Sequence, residues 1–300
     1  MKTGFFESNE NMSQEDIAAY KSILMRTYDS FEAFCHANNL AYYAVGGTAL
    51  GAVRHKGIIP WDDDIDVFMF RKDYDRFLSL KYSLKGSGYE LKDYHDSDYN
   101  APFAKYMDAN TTIWEDKYRP SIYGVFIDIF PLEELSDDGE NILKEDYDRV
   151  WKKAACSFRP FSFKRAVNAL LHLKRSILLD ELLHLRCYGK RQQLIQECDE
   201  LTAVIKKQRG SRYIAYCNEA GPNYNVVYPK EWFDNVIPMP FEHTTIMVSC
   251  NYDEYLKSLY GDYMTLPPIE KRVSQHYHYF VDLTRRVSIE EAREIIKRRK

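Results

Sequence analysis

The sequence predicts an α+β protein, built on a mixed sheet that is flanked by helices and interrupted by a helical insertion. Strand-like apolar segments alternate with helical segments over roughly the first 130 residues. Residues from about 139 to 210 are helical in pattern and nearly free of Gly and Pro, and short strands return after residue 226. We therefore divide the chain into an N-terminal core (1–135), a helical insertion (136–220) and a C-terminal part (221–300) that completes the domain.

The first part is predicted to open with a long helix. Ser13 and the acidic residues after it form a helix-start pattern, apolar residues then recur at helical spacing, and the helix should end near Asn38. The segments that follow are, in order, a strand (AYYAV), a turn at Gly46-Gly47, a short helix (TALGAVRH), a loop (GIIPW), a strand (DIDVFMF) and a helix (RKDYDRFLSL). This order puts a glycine turn directly ahead of an acidic strand.

Later segments are predicted from the same patterns. The segments APFAKYMD and TTIWED flank Ala109-Asn110 and indicate a β-hairpin, and GVFIDIF indicates a strand that Pro131 ends. The segment NYDEYLKSLYG indicates a helix closed by Gly261, and Ser288 with Glu291 begins a final helix.

Composition and charge exclude several classes of protein. The net charge of −4 argues against a nucleic-acid-binding protein. No apolar run approaches the length of a membrane span, and the N-terminus turns acidic before a signal-peptide core could form. Six scattered cysteines without a C-x-x-C pair predict free thiols. We expect a cytoplasmic protein.

The helical insertion carries a basic run from Arg159 to Arg191, in which leucines are interleaved with Lys and Arg. Two interpretations stay open. The run can form core helices with a solvated basic face, or it can form an amphipathic surface that contacts an anionic membrane.

Four carboxylates crowd into five residues, at Asp62, Asp63, Asp64 and Asp66. Side chains alternate along a strand, so Asp64 and Asp66 should share one face about 6.5–7 Å apart, a spacing that suits Mg²⁺ or Mn²⁺. Asp128 lies alone in the apolar strand GVFIDIF and would join them if the two strands are neighbours. Asp62 and Asp63 fall outside the predicted strand, and two interpretations stay open: they are turn residues, or they support the metal ligands.

Other polar residues are candidates for contact with phosphate. Gly46, Gly47 and Thr48 lie at a helix N-terminus, where backbone N–H groups bind anions. Arg54 ends the same helix and suits a bidentate phosphate contact. Lys271 and Arg272 are further candidates near the C-terminus. His276 and His278 lie two residues apart, a weak indication of a zinc pair.

These motifs together resemble those of a known family. The segment GGTALGAVRHKGIIPWDDDID is similar to the signature of the LicD phosphotransferases, which have a nucleotidyltransferase fold and are related to the fukutin-related proteins. GVFIDIFPLE resembles the family's third-aspartate strand, and YPKEWF and LYGDYMTLPPIEKR resemble its C-terminal blocks. The similarity covers most of residues 13–280. One departure is Ala49, where the family often has Leu.

The resemblance implies transfer of a phosphorylated alcohol, most often phosphocholine, from a CDP-activated donor to a hydroxyl of a surface glycan, with release of CMP. The acceptor would be a lipid-linked precursor of teichoic acid, lipopolysaccharide or capsule. The protein would be cytoplasmic, with peripheral contact at the inner face of the plasma membrane. By the family motif, Asp64, Asp66 and Asp128 are the catalytic and metal-binding residues. Two alternatives are another CDP-alcohol, carrying glycerol, ribitol or ethanolamine phosphate, and a nucleotidyltransferase that moves NMP from an NTP to a small acceptor.

Overall fold

A computed structural model of the chain describes residues 3–5, 12–117, 119–135, 142–158, 161–207, 212–216, 227–274, 276 and 278–299. The strands among them are β1 (Thr3–Phe5), β2 (Tyr43–Ala44), β3 (Asp66–Phe70), β4 (Tyr89–Lys92), β5 (Ala104–Asp108), β6 (Thr112–Trp114), β7 (Phe126–Glu134), β8 (Tyr213–Tyr216), β9 (Val227–Pro229), β10 (Val236–Phe241), β11 (Thr244–Ser249) and β12 (Phe280–Asp282). The α-helices are α1 (Gln14–Ala37), α2 (Gly46–His55), α3 (Arg71–Ser79), α4 (Ile142–Cys156), α5 (Phe163–Leu171), α6 (Arg175–Cys187), α7 (Arg191–Ile205), α8 (Tyr252–Tyr260) and α9 (Ile289–Arg299).

Among the described residues, a mixed sheet of seven strands lies at the centre of the molecule, which confirms the α+β class. Its main order is β2-β3-β7-β5-β4, and β8 pairs with the far end of β7 and with β9. Only β3 and β7 are parallel among these pairs. Strands β1, β12 and β6 form a second sheet, and β10 and β11 form a hairpin. Because β3 and β7 are neighbours, the two acidic segments of the sequence lie side by side.

Helix α1 covers the sheet and forms as predicted. The Ser13 hydroxyl accepts a hydrogen bond from the backbone N–H of Asp16, and the helix ends one residue before Asn38. Its buried face includes Leu24, Tyr28 and Phe31, and Phe31 packs edge-on against rings of the sheet and of α3.

Two predictions about strands are wrong. Strands β5 and β6 do not form a hairpin, because β4 and β7 occupy both edges of β5, and β6 pairs with β12 instead. Pro131 does not end β7, which continues to Glu134. Strand β5 pairs with β7 up to Ile129 and β8 pairs from Leu132, so Pro131 falls between these two neighbours, where a missing N–H is tolerated.

The helical insertion is mainly helical, as its sequence pattern predicts, and its described residues form α4, α5, α6 and α7. The basic run is divided mainly between α5 and α6. Helices α4 and α7 pack around Trp151, Tyr147 and Cys198, which are buried. Among the described residues, no helix combines the length and the apolar character needed to cross a bilayer. The division of the chain into three parts stays a prediction.

Candidate active site at the acidic end of the sheet

Three charged residues lie in one row across the sheet. Asp66 at the start of β3 is in register with Asp128 on β7, and Asp128 is in register with Lys105 on β5. The Lys105 ammonium donates to Asp128 Oδ1 at 2.7 Å and lies over the ring of Phe126. The side chain of Lys105 is 4 % exposed, so this is a buried ion pair. Sequence analysis missed Lys105; the only signal was a lysine inside an apolar strand.

The start of α2 is held against this row. Thr48 Oγ1 accepts a hydrogen bond from the backbone N–H of Asp66 at 2.8 Å, and the N–H of Gly46 donates to the Tyr255 hydroxyl. Gly46 begins the helix with a φ of +53°, a conformation that favours glycine. A Cβ at Gly47 would lie 2.5 Å from Asp62 Oδ2. Gly46 is therefore required by its backbone conformation, and Gly47 is required by the close approach of the Asp62 carboxylate.

The loop before β3 brings further carboxylates to the site. The strand begins at Asp66, so Asp64 lies in this loop and strand alternation does not place it. Asp62, Asp63, Asp64 and His276 form a group whose ligand atoms all lie within 4.8 Å of one another. The loop folds back so that the carboxylates of Asp62 and Asp63 adjoin Asp64, which favours the supporting role over that of turn residues alone.

His276 is the cationic neighbour of this loop. Its Nδ1 lies 2.8 Å from Asp63 Oδ1, and its Nε2 lies 3.3 Å from Asp64 Oδ2. Ser274 donates to Asp63 Oδ2, and the buried ring of His278 stacks on Tyr20 with its Nε2 3.6 Å from the same oxygen. The two histidines therefore both approach Asp63, as partners of a carboxylate.

The crowding of carboxylates changes their acidity. Burial, reinforced by Asp128, raises the pKa of Asp66 to about 7. Burial also raises the pKa of Asp128 to about 6, although Lys105 opposes this change. Burial and the neighbouring Asp66 raise the pKa of Asp64 well above its usual range. The hydrogen bond with Asp63 raises the pKa of His276 to about 10. In the absence of another cation, the site thus favours bound protons.

Two cavities meet at the carboxylates. The larger, about 910 Å³, is lined by Gly46, Gly47, Asp62, Asp64, Asp66 and His276 together with an aromatic wall. The smaller, about 340 Å³, is lined by Lys105, Asp128, Arg119 and again His276. Asp66 and Asp128 are adjacent in register but face different cavities. The arrangement can therefore hold two molecules, one against Asp66 and one against Asp128, with His276 bordering both.

The predicted phosphate-binding residues are only partly brought together. Lys271 lines the larger cavity and is exposed. Arg54 also lines it, but its guanidinium donates to the carbonyl oxygens of Tyr263 and Thr265, so it holds the chain that borders the cavity. Arg272 donates to the Pro267 carbonyl and lies over the ring of Trp61. Of these three residues, Lys271 has the position best suited to a phosphate.

The acidic residues fit a hard divalent cation. Asp62, Asp64 and Asp66 offer oxygen ligands along one cavity, and burial makes their negative charges costly without a cation. A second group with metal-ligand chemistry, Cys156, Asp180 and His184, lies between α4 and α6 in the helical insertion. Its sulfur and imidazole ligands are softer than those of the acidic site.

Comparison with known proteins identifies the family. Residues 39–163 match the LicD/FKTN/FKRP nucleotidyltransferase domain. The chain is 32% identical over 265 residues to the lipopolysaccharide cholinephosphotransferase LicD of Haemophilus influenzae, an alignment that covers 85% of this chain and 93% of that protein. It is also 30% identical over 165 residues to an uncharacterized protein of Rickettsia typhi, with 49% of this chain and 52% of that protein covered. The signature, the acidic site and this similarity show that the chain belongs to the LicD family of phosphotransferases.

Proposed function

We propose that the chain transfers phosphocholine from CDP-choline to a hydroxyl of a lipopolysaccharide-type glycan precursor, and that the reaction depends on Mg²⁺ or Mn²⁺. The observation that carries the proposal is the meeting of two cavities at one acidic row. The name of the Haemophilus influenzae relative supports the choice of phosphocholine and of lipopolysaccharide. Teichoic-acid and capsule precursors are the next acceptors to test.

The larger cavity is the proposed donor site. Asp64 and Asp66, joined by Asp62, would hold the metal, and Asp128 lies beside Asp66 in register on the neighbouring strand. When bound, the metal neutralises charge on the donor pyrophosphate. The first-turn N–H groups of Gly47 and Thr48 lie at a helix N-terminus and orient the same phosphates, with Lys271 at the border of the cavity.

The smaller cavity is the proposed acceptor site. A hydroxyl that enters it meets Asp128, whose Oδ1 is bonded to Lys105. We assign Oδ2 of Asp128 to accept the proton of the attacking hydroxyl. The pKa of about 6 suits a base near neutral pH, and Lys105 holds the carboxylate in place. The hydroxyl oxygen attacks the phosphorus that bears choline, the bond to the bridging oxygen breaks, and CMP leaves with that oxygen.

An aromatic wall supports choline over a polyol. Phe68, Phe130, Tyr216 and Tyr228 line the larger cavity, and the ring centroids of Phe68 and Tyr216 are 4.7 Å apart. The Tyr260 hydroxyl and Asp66 Oδ2 both lie 3.8 Å from the place of a Cβ on Gly46, so an aromatic side chain adjoins the acidic row. Aromatic faces attract a quaternary ammonium, whereas ribitol or glycerol would need hydrogen-bonding partners.

The test is a donor screen with product masses. The purified chain is incubated with Mg²⁺ or Mn²⁺, an acceptor oligosaccharide, and one of CDP-choline, CDP-ethanolamine, CDP-glycerol, CDP-ribitol or CTP. We expect CMP release and an acceptor heavier by phosphocholine with CDP-choline alone. A product carrying CMP from CTP would overturn the proposal in favour of a nucleotidyltransferase. A product from CDP-ribitol or CDP-glycerol alone would overturn the choice of alcohol.

A further inference from the structure

Helix α6 in the helical insertion is oriented with its apolar side outward. Leu179, Leu182 and Leu185 are each about half exposed, at 49 to 59 %. Glu181, His184 and Cys187 face the opposite way and are buried. A helix on the surface of a globular protein usually buries its leucines and exposes its carboxylates, so this pattern is the reverse of the usual one.

The neighbouring helix extends the same apolar surface. Helix α5 buries Ala166 and Ala169 and exposes Phe163, Leu170 and Leu171, at positions seven and eight residues apart. We call the six outward residues of α5 and α6 (Phe163, Leu170, Leu171, Leu179, Leu182, Leu185) the leucine face. Leu173, between the two helices, is 89 % exposed. Exposed apolar surface of this extent marks a binding surface.

Ion pairs fix the orientation of both helices. Arg165 of α5 lies 3.0 Å from Glu181 of α6 and 3.3 Å from Asp180. The buried Glu181 also accepts a hydrogen bond from the backbone N–H of Ser162. Rotating α6 to bury its leucines would break these contacts and expose the acid. The outward direction of the leucines is therefore a built feature of the fold.

The charges around the leucine face indicate what kind of partner it binds. Residues 163–190 contain two carboxylates, Asp180 and Glu181, and both are bonded to Arg165. Five cations are exposed in the same stretch: Lys164, Lys174, Arg175, Arg186 and Lys190. The centre of a protein–protein interface is poor in lysine, whereas helices that lie on membranes combine leucine and phenylalanine with Lys and Arg. We propose that the leucine face docks on the surface of an anionic lipid bilayer.

In this docking, the leucine face enters the boundary between headgroups and acyl chains, and the cations contact lipid phosphates. Leu173 and Phe163 have the most exposed apolar side chains in α5, α6 and their connection, and they would lie deepest. The proposal does not depend on the identity of the donor or acceptor. It concerns binding alone, and its test needs no enzymatic activity.

Vesicle flotation with the full chain tests the proposal. The wild type is mixed with vesicles of phosphatidylcholine, or of phosphatidylcholine with phosphatidylglycerol, at low and high salt. Three variants are compared: Leu171→Ser with Leu182→Ser, Lys174→Glu with Arg175→Glu, and a matched control. The control, Tyr82→Ser with Lys85→Glu, removes an exposed aromatic side chain and an exposed cation elsewhere on the surface.

We expect the wild type to float with the anionic vesicles and not with the neutral ones, and salt to weaken binding. The charge-reversal variant should bind at least about tenfold more weakly, given the usual contribution of each basic residue near an anionic surface. The leucine variant should lose a similar factor, because it removes two apolar side chains that would enter the bilayer boundary. The control should bind like the wild type. Circular dichroism should be unchanged in all variants, because every substituted side chain is exposed.

Three results would overturn the proposal. The first is absence of wild-type binding at low salt. The second is equal loss of binding in the control, which would indicate unspecific attraction. The third is a wild-type dimer that the leucine substitutions dissociate without any vesicle binding, which would assign the face to a second copy of the chain.

Discussion

The acidic end of the sheet and the leucine face depart from the usual partition of side chains in opposite directions. At the acidic end the chain buries Asp128 and Lys105, and on α6 it exposes leucines while burying Glu181. Burying the charges costs free energy of folding, and exposing the leucines forgoes the stabilisation that their burial would give. The buried charges contact charges of the same chain, whereas the leucines face solvent. We therefore expect a small charged ligand at the acidic end of the sheet and a large apolar partner at the leucine face.

The largest expected effect tests the acidic region. Asp64→Asn or Asp66→Asn should lower the transfer rate at least about a thousandfold, because each removes a charge that the metal and the phosphates require. Folding should be preserved, since burial already disfavours both charges. Steady-state kinetics with CDP-choline gives the measurement. Asp146→Asn, which removes a carboxylate paired with Arg149 on α4, is the control. Near-normal rates in both site variants would contradict the assignment.

The second prediction concerns the contribution of the buried ion pair between Lys105 and Asp128 to stability. Lys105→Met should destabilise the protein by about 3 kcal/mol, because it leaves Asp128 buried without its cation. Adding Asp128→Asn should recover much of this loss. Urea unfolding of the two single variants and of the double variant gives the coupling free energy. Additive effects on the unfolding free energy would show that Lys105 and Asp128 are not coupled.

The third prediction concerns pH in the presence of a chelator. Burial raises the pKa of Asp66 to about 7, so the folded protein holds a proton that the unfolded chain releases above about pH 4. Stability should therefore fall as pH rises through this window, and Asp66→Asn should make the fall shallower by about 1 to 3 kcal/mol. Unfolding free energies at about pH 5 and about pH 8 check this. An unchanged slope in the variant would show that Asp66 does not titrate in this range.

The fourth prediction concerns the protons that the site releases when a divalent cation binds. A divalent cation at the carboxylates replaces their bound protons and favours release of the His276 proton, because His276 has its pKa raised by Asp63 and Asp64. We expect Mn²⁺ to release protons and to raise the melting temperature of the wild type. Calorimetry in buffers of different ionisation enthalpy measures the release. The Asp64→Asn, Asp66→Asn double variant is the control, and an equal release from it would place the metal elsewhere.

The smallest expected effect concerns the leucine face. Leu182→Ala should change the unfolding free energy by less than about 0.5 kcal/mol, because the side chain is half exposed. Leu256→Ala on α8 removes a fully buried leucine and should cost about 2 to 5 kcal/mol. Thermal unfolding of both variants, without lipid, gives the two values. Similar losses would mean that the leucines of α6 support the fold.

Much of the catalytic core was predictable from local pattern. Asp66 and Asp128 were expected to meet if their strands were neighbours, and the parallel pairing of β3 and β7 confirms that they are. A short helix ahead of the acidic strand was also predictable, but it begins at Gly46 and not at Thr48, so the two glycines form its first turn instead of a turn before it.

Other parts depend on contacts that local pattern cannot show. The pairing of β6 with β12 and the extension of β7 past Pro131 depend on which sheet edges are free. Lys105 and His276 meet the carboxylates only through tertiary structure. The side of α6 that faces outward was not predictable either, because an ion pair with Arg165 decides it against the hydrophobic pattern.

The acidic loop also has a consequence for biosynthesis. Its motif is compact in sequence, but Glu242 accepts from the N–H of Ile58, Tyr255 accepts from that of Gly46, and His276 contacts Asp63. A chain grows from its N-terminus, and contacts of this separation form late. The ribosome must therefore reach residue 276 of 300 before the site can close. An unfinished chain that already contains the whole signature would still be inactive.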